Sequence, residues 1–181
     1  FVSGKGTENS PYVAYTETEL EQIVQMPDKC YALGNDIELS KSWMPIDGFS
    51  GTLDGRGFKI SGLNIDSDKE NAGLFSKVNG GKIKNLSVDG YIKANKNAGL
   101  IAAVNEGEIT GCIVTGTVEV KTNNAGGICG DNRGVIKNCL SALYSVTAGS
   151  FSGGISGQKI RAERAQYERL QYVCDPAFLL L

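Results

Sequence analysis

The sequence predicts an all-β chain wound as a right-handed parallel β-helix. Three observations carry this: a segment that recurs every 26–27 residues, glycine at 24 of 181 positions, and short β-type runs between the glycines. Asn71-Ala72-Gly73-Leu74-Phe75-Ser76 is followed by Gly81-Lys82-Ile83-Lys84-Asn85-Leu86. Asn97-Ala98-Gly99-Leu100-Ile101-Ala102 is followed by Gly107-Glu108-Ile109-Thr110-Gly111-Cys112. Asn124-Ala125-Gly126-Gly127-Ile128-Cys129-Gly130 is followed by Gly134-Val135-Ile136-Lys137-Asn138-Cys139. Ile83, Ile109 and Ile136 lie 26 and 27 residues apart, and a fourth copy opens at Ser152-Gly153-Gly154-Ile155-Ser156-Gly157. A fixed period of this length is the mark of a solenoid, in which one repeat is one coil and its apolar face is buried only by its neighbours. The runs Lys82 to Val88 and Tyr91 to Ala94, like Thr117 to Val120, are short and bounded by Gly and Asn, which favours strands over helices. Ile83, Ile109 and Ile136 are therefore expected to stack inward, as are Leu86, Cys112 and Cys139.

A stack of parallel coils has open ends that need covers. At the N-terminus, Thr16-Glu17-Thr18-Glu19 reads as a capping box. A short helix is expected from about Glu17 to Met26, with Leu20, Ile23 and Val24 on one face and Pro27 as its stop. Residues 161–172 have helix-forming composition unlike the repeats, and Phe178 to Leu181 are expected to bury against the last coil or a neighbouring chain. The division that follows is a solenoid over 1–157, with a cap over about 1–30, a lead-in over 31–70 and repeats over 71–157. A helix-prone tail, cap or foreign segment occupies 158–181.

Gly127-Ile128-Cys129-Gly130 and Gly154-Ile155-Ser156-Gly157 resemble the GLUG motif, Gly-Leu-any-Gly. Gly73-Leu74-Phe75-Ser76 and Gly99-Leu100-Ile101-Ala102 match its first half, with Ser76 and Ala102 in place of the last glycine. The lead-in, with Trp43-Met44-Pro45-Ile46 and Phe49-Ser50-Gly51-Thr52-Leu53-Asp54-Gly55-Arg56-Gly57, is similar to the segment that precedes such repeats, and the likeness runs from residue 4 to about 157. It implies a β-helix, an extracytoplasmic address of the kind held by bacterial surface proteins and regions flanking secreted IgA peptidases, and no shared catalytic activity.

The chain has no histidine, which excludes Ser-His-Asp and Cys-His nucleophile systems and imidazole zinc sites. Its 18 basic and 20 acidic residues give no nucleic-acid footprint. No apolar run approaches the ~20 residues of a membrane span. The five cysteines, Cys30, Cys112, Cys129, Cys139 and Cys174, include no Cys-x-x-Cys pair. Cys112 and Cys139 take the place of Leu86 and read as buried thiols. Cys30 is placed under the N-terminal cap, and Cys174 is the thiol expected to be exposed.

Asp54 is the carboxylate to weigh as a catalyst, but Asp54-Gly55 is first a turn signal; Arg56 beside it reads as solvated. Asp66, Asp68 and Glu70 alternate as calcium ligands do, without the later Gly and distal Glu of an EF-hand, so a polar loop is expected. Asn71, Asn97 and Asn124 form either a stacked amide ladder or a series of left-handed turns. Trp43, with Tyr12 and Tyr15 the candidates for a sugar platform, is read as core.

No catalytic, cofactor-binding or metal residue is assigned, and no cofactor. The expected function is a non-catalytic, secreted or cell-surface β-helix module, a rigid spacer or adhesion domain. The alternatives are a carbohydrate-active β-helix enzyme or an accessory domain of a larger secreted peptidase. A host or surface protein or a glycan is the expected partner, with end-to-end association through the last coil, no nucleic acid and no membrane insertion. A chain beginning at Phe1 is taken as a mature or trimmed fragment.

Overall fold

The computed structural model describes residues 1, 3–159 and 171–172. Four parallel sheets run along it, of six, four, four and six strands among the described residues. One coil visits them in order: Asn97–Ala98 on the first face, Ala102–Asn105 on the second, Glu108–Thr110 on the third and Ile113–Val120 on the fourth. The next coil repeats this as Asn124–Gly126, Cys129–Asn132, Val135–Lys137 and Leu140–Thr147. The result is the β-solenoid that the spacing predicts.

The period fixes the register. Tyr12, Tyr31, Leu53, Ile83, Ile109 and Ile136 are successive partners on the third face. Their apolar chains stack along the axis, and Leu86, Cys112 and Cys139 are all buried beside them. On the fourth face Ile65, Ile92, Val118 and Val146 do the same. Burying one such chain contributes about 2 kcal/mol. Phe49 and Phe75 pack with ring centres 4.7 Å apart in the core.

Two details differ from the expectation. The run Lys82 to Val88 is not one strand: Lys82–Lys84 ends at a corner, and Ser87–Ala94 is a single strand on the next face. The corner is made by Asn85 at φ 53°, and the equivalent corners use Gly111 at φ 64° and Asn138 at φ 51°. Asn and Gly are the residues that tolerate this left-handed geometry. The glycine motif is also shifted by one. Ala102 pairs with Cys129 and with Phe75, so Ala103, not Ala102, takes the place of Gly130. Asn71 to Phe75 is one residue shorter than Asn97 to Ala102, and the sequence alone hides that deletion. Glycine is required at Gly126, where a Cβ would stand 2.0 Å from the Cys129 carbonyl oxygen.

The N-terminal cover forms, with a correction. Thr16 Oγ1 accepts the Glu19 N–H (3.3 Å), and the Glu19 carboxylate accepts the Tyr15 N–H (2.8 Å). The helix spans only Glu17–Glu21 and tightens into a 3-10 turn over Gln22–Gln25. At three residues per turn Leu20 and Ile23 eclipse, so both are buried while Val24 is 54% exposed. At the other end, Ser156–Lys159 extends the second face and Gln171–Tyr172 pairs with Leu140 and Ser141. The helix expected over 161–172 thus gives way to a strand at its last two residues; 161–170 and 173–181, with Cys174 and Phe178 to Leu181, lie outside the described residues.

Candidate functional site

The third face is overhung near the N-terminus. Thr7 and Ser10 exchange backbone hydrogen bonds of 3.1 and 3.2 Å, forming a tight turn, and the Gly6 carbonyl accepts the Cys30 N–H at 2.9 Å. This folds Glu8 and Asn9 over the outward residues of the first coils. Inward and outward positions alternate along a strand: Tyr31 and Leu53 point in, while Cys30, Ala32, Thr52 and Asp54 line a recess of about 250 Å³. Its floor is made of small side chains, because Ala32 and Thr52 stand where the later coils carry Lys84 and Lys82. Arg56 and Lys84 complete the rim.

Asp54 acts as a turn residue. One carboxylate oxygen accepts the Arg56 N–H (2.9 Å) and the Asn85 amide (3.3 Å), and the other lies 3.3 Å from Lys84 Nζ. Partial burial works against the charged form, but these three donors outweigh it and hold the carboxyl below its usual range. The Arg56 side chain is exposed on the rim, as read from the sequence. What the sequence reading missed is the recess itself: its wall comes from residues 6–11, which stand outside the repeat.

The other candidates separate cleanly. The Asp66–Glu70 loop directs its acids to lysines of the following coils: Asp66 to Lys93 at 4.0 Å, Glu70 to Lys96, and Asp68 to Lys121. Among the described residues no three His, Cys, Asp or Glu side chains converge as metal ligands would. Trp43 is 3% exposed and donates its indole N–H to the Leu74 carbonyl at 3.0 Å, which makes it core. Tyr12 stacks on Phe1 and packs with it against Tyr31 in a three-ring cluster, whereas Tyr15 is 47% exposed, so the two tyrosines share no aromatic platform with Trp43. Cys112 and Cys139 are free and buried. Cys30 is half-buried and faces the recess.

Of the two roles open to Asn71, Asn97 and Asn124, the amide ladder is the one found. Asn97 donates to Asn71 (3.0 Å), and Asn124 donates to Asn97 (3.1 Å) and to Gln158 (3.0 Å). A second ladder went unread. Asn105 is fully buried and donates to Asn132 (2.8 Å), and each Asn accepts the N–H of the glycine two residues on. Its sequence signal is Asn-x-Gly at Asn105 and Asn132. No helix among the described residues is long and apolar enough to cross a membrane.

No family model matches the chain. It is 32% identical over 173 residues to halomucin of Haloquadratum walsbyi (strain DSM 16790 / HBSQ001), a match that takes in 85% of this chain and 2% of halomucin. The crystal structure of a candidate immunoglobulin A1 protease from Bacteroides ovatus superposes with a TM-score of 0.66 at 20% identity, over 90% of this chain and 66% of that one. The latter likeness shows the fold. The chain therefore spans a small piece of halomucin and just under two thirds of the Bacteroides ovatus chain.

Proposed function

We propose that this chain is a non-catalytic, extracellular β-solenoid module of a cell-surface protein of the GLUG-repeat kind, serving as a rigid spacer that also carries a binding surface. The observation that carries the reading is how the loop and corner carboxylates are used. Asp54, Asp66, Asp68, Glu70 and Glu106 each pair with a lysine of an adjacent or nearby coil. Ions committed in this way brace a stack, whereas hydrolysis of a glycoside needs two carboxyls facing one bond across about 5–10 Å. The halomucin match supports the spacer role, since a segment that resembles 2% of a much longer protein fits one module of a larger architecture. The Bacteroides ovatus likeness favours a second reading, an accessory region of a larger peptidase, because that chain is named for a candidate protease.

Two measurements test the proposal. Brief protease treatment of intact cells that make the full-length protein is expected to remove this segment while cytoplasmic markers survive. Incubation with neutral and acidic polysaccharides is expected to release no new reducing ends and no unsaturated sugars. Protection of the segment in intact cells overturns the surface assignment, and turnover that follows the purified chain overturns the non-catalytic one.

A further inference from the structure

The turn that carries Arg56 is built at a cost. The Gly55 carbonyl accepts the Phe58 N–H at 2.8 Å, and the two central residues, Arg56 and Gly57, stand at φ 52° and 83°. Two consecutive left-handed residues make a type I′ turn, whose preferred pair is Asn-Gly. A long side chain at the first of these positions costs about 1 kcal/mol or more. Among the described residues Arg56 is the one left-handed residue that is neither glycine nor asparagine. The corner is also two residues longer than its successor: Asp54 pairs with Lys84 and Lys59 with Ser87. Backbone strain of this kind collects where a side chain is needed in one place.

That place is the rim of the recess. Asp54 fixes the Arg56 backbone through its N–H but directs its remaining oxygen to Lys84. Among the described residues no carboxylate stands within 4 Å of the guanidinium. An unpaired guanidinium offers a planar fork of donors matched to a carboxylate. Around it, Glu8, Asn9 and Thr52 supply acceptors and donors suited to hydroxyls, and the small floor leaves room for one pyranose ring. Glu8 and Asp54 disfavour a doubly charged phosphate more than a monoanion.

We infer that the recess is a binding site for an acidic sugar of the uronate type, with Arg56 held in the strained turn to take the sugar carboxylate and Glu8, Asn9 and Thr52 to take its hydroxyls. This deepens the binding-surface part of the proposed function and rests on it.

Titration of the whole chain with sodium galacturonate and sodium glucuronate tests it, with galactose, acetate and inorganic phosphate as comparators. At least one uronate is expected to bind about tenfold or more tightly than any comparator. Arg56→Asn supplies the residue the turn prefers, so its Tm is expected to stay level or rise while uronate affinity falls about tenfold or more. Arg56→Lys keeps the charge without the fork and is expected to fall between. The site is overturned by an Arg56→Asn variant that binds uronate unchanged, by phosphate or galactose binding as tightly as uronate, or by the absence of uronate binding. Absence of binding without turnover leaves the spacer module standing. Turnover of a uronate polymer with binding lost in Arg56→Asn keeps the site and overturns the non-catalytic reading.

Discussion

Cys139 Sγ lies 3.4 Å from the backbone nitrogen of Cys112 and accepts its N–H. The two thiols occupy equivalent places in consecutive coils, one rung apart, where the preceding coil has Leu86. The Cys139 sulfur and burial together push the Cys112 thiol well up from its ordinary value. Burial does the same at Cys129.

Reactivity toward a thiol reagent follows from this, because the thiolate is the nucleophile and it must be reached. In native protein Cys112, Cys129 and Cys139 are expected to label only on unfolding. Cys30, half-buried at the recess, is expected to label first among these four. Peptide mapping after a timed pulse of iodoacetamide checks the order; fast labelling of Cys112 in native protein contradicts the packing.

Ile109 and Ile136 are register partners on the third face, but their environments differ. Ile109 is sandwiched between coils and fully buried, whereas Ile136 is only partly buried. Removing buried methylenes costs the lost transfer energy plus that of the cavity left behind. Ile109→Ala is expected to lose about 3 kcal/mol and Ile136→Ala about half that, as read from urea unfolding. Equal losses would mean that the two sites are equally enclosed.

The unequal legibility of the sequence has physical causes. The isoleucine ladder was readable because a solenoid repeats its inward apolar positions at the coil period, whatever lies between. The place of Ala103 was not, because Gly126 and Gly127 both offer themselves as the partner of Gly99, and the structure sets Gly127 beside Leu100. The deletion between Gly73 and Phe75 is hidden in turn because it leaves both flanking patterns of its own coil intact. Val24 lies off the buried face because α-helical periodicity does not hold where the chain tightens to three residues per turn. The Asn105 ladder escaped notice because its partner one coil earlier is Val78, so no three-copy pattern exists. The recess joins residues 6–11 to residues 30–56 and 84, a juxtaposition set by the N-terminal turn rather than by the repeat.

Asn105 and Asn97 both sit in amide ladders, yet their replacement is expected to differ. Asn105 is fully buried and donates to Asn132 in the interior, and nearer the surface it donates to the Val135 carbonyl and accepts the Gly107 N–H. Asn105→Ala breaks the buried inter-coil bond to Asn132 and removes the acceptor of the Gly107 N–H, for an expected loss of about 2–3 kcal/mol. Asn97 is only partly buried, so water can replace its partners. Asn97→Ala is expected to lose about 1 kcal/mol. Paired denaturation curves distinguish them, and an Asn105→Ala protein as stable as Asn97→Ala would show that the second ladder carries no special weight.

The acid limb of stability should be set by carboxylates whose folded-state affinity for protons is lowered. Glu17 is held below its usual range first by the Ser40 hydroxyl, at 2.7 Å, with further donors in the backbone N–H groups of Ser40 and Lys41. Glu106 is held down first by Lys77 at 2.9 Å, with Arg133 adding to it at 3.3 Å. A carboxyl that ionises more readily when folded contributes stability that is fully present above its unfolded pKa, about 4.3 for Glu, and is lost as the pH falls through its folded value. The Tm is therefore expected to hold from neutrality to about pH 5 and to fall below about pH 4. Glu17→Gln and Glu106→Gln should each lower the Tm at pH 7 and flatten the acid limb. Salt separates the two, since screening weakens an exposed ion pair far more than hydrogen bonds to a hydroxyl and to backbone. In about 1 M sodium chloride, where the screening length is about 3 Å, the Glu106→Gln deficit should shrink and the Glu17→Gln deficit should persist. Equal shrinkage of both would mean that Glu17 acts through the charge of Lys41 rather than as a hydrogen-bonded tie between the N-terminal helix and the Ser40–Lys41 turn.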